Sequence, residues 1–203
     1  MNMTWNLEIM YKGYDDPKYI SDNKKVLEII NELNELVKEL NVDNAVAIIE
    51  KELRLEEELN SVLSELFSYS SLRASTNVND YEALGEMGKL QMGLQETVAA
   101  SVAFSKFLTN VDLDKLAKTS ELIKTYLFIL KNNQEEASHM LSDKEEVLAS
   151  RLSLVGSNSW GDLQSQLTAN LSIKVEGFEE NMPLSAVRNL AYDHSEKVRK
   201  AAY

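Results

Sequence analysis

The chain has 203 residues, 44% hydrophobic and 27% charged, with no Cys and a formal net charge of −12 at pH 7. Such an acidic chain lacks the basic footprint that nucleic acids and anionic membrane surfaces require. Without Cys, disulfides, thiolate metal sites and Cys nucleophiles are excluded. Seven Gly and two Pro favour long uninterrupted helices over many-turned β structure.

Met1 to Glu8 shows no basic region followed by an apolar run, and no stretch approaches ~18 consecutive apolar residues. The expected location is the cytoplasm, with neither a nucleic-acid nor a membrane partner. Asp15-Asp16-Pro17 then supplies an N-cap acid and a Pro at the first helical position. Ile20, Leu27, Ile30, Leu33, Val37 and Leu40 recur at helical spacing, which predicts one buried face. Asn41 to Asn44 breaks the pattern, and Asp43 is suited to cap the next helix.

The second helix is expected from about Ala45 to Ala74, with Val46, Ile49, Leu53, Leu59, Val62, Leu63, Leu66 and Leu72 inward. At 1.5 Å per residue it would be ~45 Å long. Glu50, Glu52, Glu56, Glu57 and Glu58 are expected on its solvated outer face. Ser75 to Asp80 is turn-like. Asn79 with Glu82 reads as a capping box opening a third helix to about Leu108. Its stripe is Leu84, Met87, Leu90, Leu94, Val98 and Val102. Gly85, Gly88, Gly93, Ala99 and Ala100 between them suggest close approach of a neighbouring helix. A fourth helix is expected over Asp112 to Asn132, with Leu116, Ile123, Leu127 and Leu130 inward.

A boundary is expected near Asn133 to Leu141. Ser142-Asp143-Lys144-Glu145 is a capping box starting a helix that should stop at Gly156. Ser157-Asn158-Ser159 should cap a short helix carrying Trp160, Leu163 and Leu167. Leu171 to Glu176 alternates apolar and polar, predicting a strand, with Gly177 to Met182 turning it into a hairpin. Pro183 and Ser185 open a short helix to Tyr192. Ser195 is placed to cap a last helix with Val198, Ala201 and Ala202 apolar. Nothing in the sequence closes that helix, so the chain is expected to be a piece of a longer protein and to self-associate or fray there.

The fold class expected is mainly α. Residues 1–132 should form an elongated antiparallel array of long helices. Residues 133–203 should form a smaller α subdomain with one hairpin at about 171–182.

Candidate chemistry is sparse. His139 and His194 are 55 residues apart, and neither opens a His-Glu-x-x-His motif. Each reads as a polar residue at a helix end rather than a zinc ligand. Consecutive acids such as Glu56-Glu57-Glu58 diverge around a helix and do not converge on one ion. Ser68-Tyr69-Ser70-Ser71 and Ser157-Asn158-Ser159 lack a nucleophile elbow, and no phosphate-cradling glycine motif occurs. Trp5, Tyr11, Tyr14 and Tyr19 read as an aromatic plug fixing the N-terminal segment, with a groove lining as the other reading. The expected site assignments are therefore none for catalysis, cofactor and metal.

Thr4-Trp5-Asn6-Leu7-Glu8-Ile9-Met10-Tyr11 with Asp15-Asp16-Pro17-Lys18 resembles the start of oligoendopeptidase F family proteins. Leu141-Ser142, Glu145-Glu146 and Leu154-Val155-Gly156-Ser157-Asn158-Ser159-Trp160 with Leu163 are similar to that family's segment before its small hairpin. Pro183-Leu184-Ser185, Leu190-Ala191-Tyr192-Asp193 and Val198-Arg199-Lys200-Ala201-Ala202-Tyr203 resemble its entry into the peptidase domain.

The resemblance implies a largely helical zinc metallopeptidase of the thimet oligopeptidase-like kind that cleaves short peptides inside a channel. Its zinc would be held by a His-Glu-x-x-His helix and a downstream Glu, and none of these positions has a counterpart in this sequence. The chain is thus expected to be the N-terminal non-catalytic part, inactive alone. It would shape the channel, with zinc, short peptides and the catalytic domain belonging to the parent protein. The alternative is a self-contained helical protein-interaction module. An intact hydrolase with an unrecognised site ranks third.

Overall fold

The computed structural model describes residues 6–77 and 79–202; Thr4, Trp5 and Tyr203, which the sequence singled out, lie outside them. The fold is mainly α with one short antiparallel strand pair. It divides into two compact units, Met1–Arg151 and Leu152–Tyr203.

In the first unit, α1 (Pro17–Leu36) starts as its sequence dictates. The Asp16 carboxylate accepts from the Lys18 N–H, and Pro17 occupies a position whose N–H would have no helical partner. The buried face is Tyr19, Val26, Ile29, Ile30, Leu33 and Leu36, so the expected stripe is rotated. Ile20 and Leu27 are exposed, because Tyr19 rather than Ile20 anchors the N-terminal end. One position of register turns a helix by about 100°. A 3₁₀ turn at Val37–Glu39 ends the helix.

α2 (Ala45–Thr76) is the central element, packed against α1 and against α3 (Tyr81–Leu94). Asp43 does not cap it; a 3₁₀ turn at Val42–Asn44 intervenes, and Asn41 caps that turn through the Asp43 N–H. Ion pairs Lys18–Glu65 and Lys25–Glu58 couple early α1 to late α2 and later α1 to earlier α2, as antiparallel neighbours require. Leu55 is buried beside the expected Leu53, Leu59, Leu63 and Leu66. A helix packed on two sides buries more than one stripe.

The expected third helix is two. α3 is capped by Asp80, which accepts from the Ala83 N–H at 3.0 Å, not by Asn79. Glu82 pairs with Arg73 instead of closing a capping box. A 3₁₀ turn at Gln95–Thr97 then separates α3 from α4 (Val98–Leu108). The glycine reading fails: a Cβ at Gly85, Gly88 or Gly93 would meet nothing within 4 Å. Ala83 and Ala100 are the small residues that are buried.

The expected fourth helix is three: α5 (Leu113–Leu116), α6 (Glu121–Thr125) and α7 (Leu127–Ala137). Asp112 caps α5 and Ser120 caps α6. A hydroxyl that satisfies a helix's first amides starts a new helix inside an apparently continuous period. α7 packs on α4. Ile49, Leu66, Leu108, Ile123 and Leu130 lie at the centre of this core.

α8 (Asp143–Ser153) begins at the predicted place, with the Glu145 carboxylate accepting from both the N–H and the hydroxyl of Ser142. Its residues up to Arg151 belong to the first unit, where Lys106 pairs with Asp143 and Ser150 Oγ donates to Gln95 Oε1. The division therefore falls at 151/152 rather than at 132/133.

In the second unit, Gly156 does not stop the helix. Leu154–Asn158 is a π-turn that leads into α9 (Ser159–Ala169). Ser157 and Ser159 do not cap a new helix; their hydroxyls donate back to the carbonyls of Ser153 and Leu154. β1 (Ser172–Ile173) pairs antiparallel with β2 (Met182–Pro183), shorter than the alternation implied. Gly177, at φ +87°, takes a left-handed turn between them. α10 (Leu184–Leu190) and α11 (Glu196–Ala201) follow. Ser195 sits at the N-cap of α11 but its side chain makes no capping bond; its N–H donates to Asp193 Oδ1. Val175 and Val187 are the buried apolar residues here.

Candidate functional site

Two constellations in the first unit concentrate polar groups in apolar surroundings. The first is aromatic. Tyr11, Tyr14, Tyr19 and Tyr69 meet edge to face, with ring centroids 4.9–5.4 Å apart in four of their pairs. Such T-shaped contacts align ring edges with ring faces. The Tyr11 hydroxyl donates to Asp22 Oδ2 at 2.8 Å, Tyr14 to Ser70 Oγ at 3.2 Å and Tyr19 to Glu86 Oε2 at 3.1 Å.

The Arg73 guanidinium lies 4.5 Å from the Tyr14 ring centroid and the Lys18 ammonium 4.7 Å from that of Tyr11. Burial, with the Glu86 carboxylate added, pushes the Tyr19 phenol up to about 12, and burial with the Asp22 hydrogen bond raises Tyr11 further. Tyr11 and Tyr19 are fully packed. This is the plug that the sequence suggested, built from Tyr69 in addition to the N-terminal tyrosines. Helix period alone could have flagged Tyr69, three residues beyond Leu66.

The second is a groove of about 490 Å³ between α2, α4 and the α6–α7 junction. Glu52, Glu56, Glu57 and Asn60 line one side, Ser101, Phe104 and Ser105 another, and Tyr126, Ile129 and Asn133 the third. Leu33, Leu36 and Val37 of the α1 end close over Glu52 and Glu56 from beside it. Removal from water, reinforced by the neighbouring Glu56 charge, raises the Glu52 carboxyl to about 8. Burial likewise raises Glu56, against the opposing Asn60 hydrogen bond. The Tyr126 hydroxyl donates to Glu57.

The sequence placed all five acids of this region in solvent, and Glu52 and Glu56 are the exceptions. Their signal was position: Glu52 lies within a turn of the buried Leu53 and Leu55, and Glu56 within a turn of Leu53, Leu55 and Leu59. Glu50 is engaged too, accepting from Ser120 Oγ at 2.5 Å.

Chemically, the groove offers hydroxyls and a carboxyl whose burial favours its protonated form. No His or Lys lines it as a base or cation. In the second unit, an open concavity of about 560 Å³ is lined by Glu176, Gly177, Glu196, Lys197, Lys200 and Ala201, with Lys200 paired to Glu196 at 2.8 Å.

His139 and His194 are both exposed, in different units, and His194 Nδ1 lies 3.4 Å from Asp193 Oδ1. Among the described residues no three His, Asp or Glu side chains converge as metal donors. No described helix is long and apolar enough to cross a membrane.

Residues 108–172 match the family model for oligopeptidase F. No curated protein and no solved structure matches the chain. The match covers less than half of the chain, from the last residue of α4 to the first of β1. The middle set of resembling residues, Leu141 to Leu163, lies inside it, whereas Thr4 to Lys18 and Pro183 to Tyr203 lie outside. The matched segment is similar to the N-terminal region of oligopeptidase F proteins.

Proposed function

We propose that this chain is the N-terminal, non-catalytic part of a cytoplasmic zinc-dependent oligoendopeptidase, and that it shapes the channel through which short unstructured peptides reach the catalytic residues. The observation that carries the proposal is the oligopeptidase F match over 108–172, set in a mainly helical chain.

The residues of this chain do not fit a zinc site. Two exposed histidines in different units and diverging carboxylates give no three-donor set among the described residues, and the sequence holds no His-Glu-x-x-His. In the proposed protein, zinc and the water it activates belong to other residues. Here the role of the helices is steric: a rigid wall of packed α1, α2 and α4 admits extended peptides and turns away folded ones.

The test compares the purified 203-residue chain with the product of the complete coding sequence, using a quenched fluorescent peptide of about eight residues. The complete product should cleave it and a chelator should abolish that activity; the 203-residue chain should neither cleave nor retain an equivalent of zinc. Chelator-sensitive hydrolysis by the chain alone, or a complete product without peptidase activity, would overturn the proposal. In the second case the self-contained interaction module becomes the better reading, and the exposed apolar line along α9 is the observation that favours it.

A further inference from the structure

Six of the seven exposed large apolar side chains described in the second unit follow one another between Leu152 and Leu171; the seventh, Tyr192, lies apart from them in sequence. Leu152 is 57% exposed, Val155 70%, Trp160 70%, Leu163 42%, Leu167 62% and Leu171 51%. Steps of three and four residues keep side chains on one helical face, as from Leu152 to Val155 and from Trp160 through Leu163 to Leu167; Leu171 follows just beyond the end of α9. The step from Val155 to Trp160 is five, and it coincides with the π-turn Leu154–Asn158. A π-turn closes on the fifth residue, so Trp160 comes round to the face of Val155. Ser159 Oγ, donating to the Leu154 carbonyl at 3.0 Å, spans the same five residues. An uninterrupted α-helix would have thrown Trp160 well off the line. The irregularity thus preserves an apolar face that the unit itself does not bury.

The amount of surface matters. With side-chain areas on the order of 150–200 Å², these exposures leave roughly 600 Å² of apolar surface. That is at the upper end of what monomers show, and approaches the ~800 Å² that each partner contributes to a standard interface.

Charge selects the occupant. From Leu152 to Ile173 the one charged residue is Asp162. The whole second unit holds six Asp/Glu and five Lys/Arg, so it contributes −1 of the chain's −12. A charged partner finds nothing to pair with on this face. Two copies of it meet without the repulsion that the acidic first unit would impose. Gln164, Gln166 and Asn158 supply neutral donors and acceptors for a polar rim.

We propose that this face pairs two copies of the chain. The α9 helices would run antiparallel about a two-fold axis, with Trp160 and Leu163 at the centre. An isologous pairing suits a single self-complementary stripe, and an aromatic at its centre is the expected anchor. The inference rests on the second unit alone.

Sedimentation of the 203-residue chain should show a reversible dimer with a dissociation constant in the micromolar range or tighter, as interfaces of this size give. The double substitution Leu163→Ser with Leu167→Ser should shift the chain to monomer, with far-ultraviolet circular dichroism unchanged because both side chains are exposed. In a Trp5→Phe background, Trp160 emission should move to the blue as concentration rises through the transition. A monomer at about 100 µM, some two decades above a micromolar dissociation constant, would overturn the pairing. So would a dimer that the double substitution leaves intact, or Trp160 emission independent of concentration. The last two would mean that copies join elsewhere, and the first that another partner covers the face.

Discussion

Arg73 grips Asp80 with a fork: Nε donates to Oδ2 at 2.9 Å and Nη2 to Oδ1 at 3.3 Å. Both side chains are mostly buried. The same Asp80 carboxylate accepts from the Ala83 N–H and so caps α3, while the guanidinium lies over Tyr14. One ion pair thereby ties the end of α2, the start of α3 and the aromatic plug together.

Arg73→Lys keeps the charge and loses the planar fork. It should cost about 1–2 kcal/mol, and Arg73→Ala about 2–3 kcal/mol. At ~2–4 °C per kcal/mol for a chain of this size, thermal melting resolves the two. Equal melting temperatures for all three proteins would contradict the assigned role.

The same pair predicts an acid dependence. The Ala83 N–H first, and Arg73 after it, hold the Asp80 carboxyl below its ordinary value. A depressed carboxyl contributes stability that is present above its unfolded value near 4 and lost as pH falls through its folded value. Asp80→Asn retains a competent N-cap but removes this dependence, so the variant and the parent should converge in stability as pH drops from 5 towards 2. Parallel stability curves would show that the interaction does not discriminate charge.

Glu52 should behave in the opposite sense. Its folded carboxyl is raised to about 8 by burial and by Glu56. The groups facing it across the groove are Ser101, Tyr126 and Asn133, with Glu56 and Glu57 from its own helix and no cation among the lining residues. The proton is therefore held more tightly folded than unfolded. Its contribution is complete below pH ~4.5 and declines as pH rises through about 8. Glu52→Gln should be close to neutral at pH 5 and stabilising at pH 9, by about 1–2 kcal/mol. Denaturant titration at the two values is the check, and a destabilised variant at pH 9 would show that the carboxylate is solvated after all.

Much of this fold is legible in the residues, and the failures share causes. Pro17 behind Asp16, and Ser142 ahead of Glu145, mark helix starts because capping is a local contest won within four residues. The length of α2 is legible from its sustained apolar period. The breaks at Gln95–Thr97 and at Ser120 were not, because a 3₁₀ turn or an internal Ser cap leaves the hydrophobic period almost intact. Gly156 misled in the other direction: it reads as a stop, yet no positive φ is demanded there and the π-turn carries the helix through. Glu52 and Glu56 escaped notice because a charged residue is assigned to solvent unless tertiary neighbours are known. Those neighbours come from α4 and α1, distant in sequence.

The glycines of α3 give a fourth prediction. Gly85 and Gly88 lie inside the helix, and a Cβ at either would meet nothing within 4 Å. Neither has a positive φ. Gly→Ala at such sites restricts the unfolded chain without strain and should stabilise by about 0.5–1 kcal/mol each. Gly85→Ala with Gly88→Ala should add, apart from a small term for adjacent turns. Gly177→Ala is the contrasting control, since φ +87° strains any side chain. Destabilisation at 85 or 88 would mean that something unseen packs on that face of α3.

The fifth concerns Ser120, a fully packed hydroxyl that serves two elements. It accepts from the Ile123 N–H at 3.1 Å, starting α6, and donates to Glu50 Oε1 at 2.5 Å, reaching across to α2. Ser120→Ala removes both bonds and leaves the Ile123 N–H unsatisfied beside the buried Ile123 side chain. A lost cap costs ~1 kcal/mol, and a hydrogen bond to a charged acceptor about 1.5–3 kcal/mol. Ser120→Ala should therefore destabilise by roughly 2–3 kcal/mol, and Glu50→Gln by less, because an amide oxygen still accepts. The two changes touch one bond and should be non-additive: the double variant should be less destabilised than the two single effects combined by about 0.5–1 kcal/mol. Additivity within ~0.3 kcal/mol would show that Ser120 acts as a cap alone, with no coupling between α6 and α2.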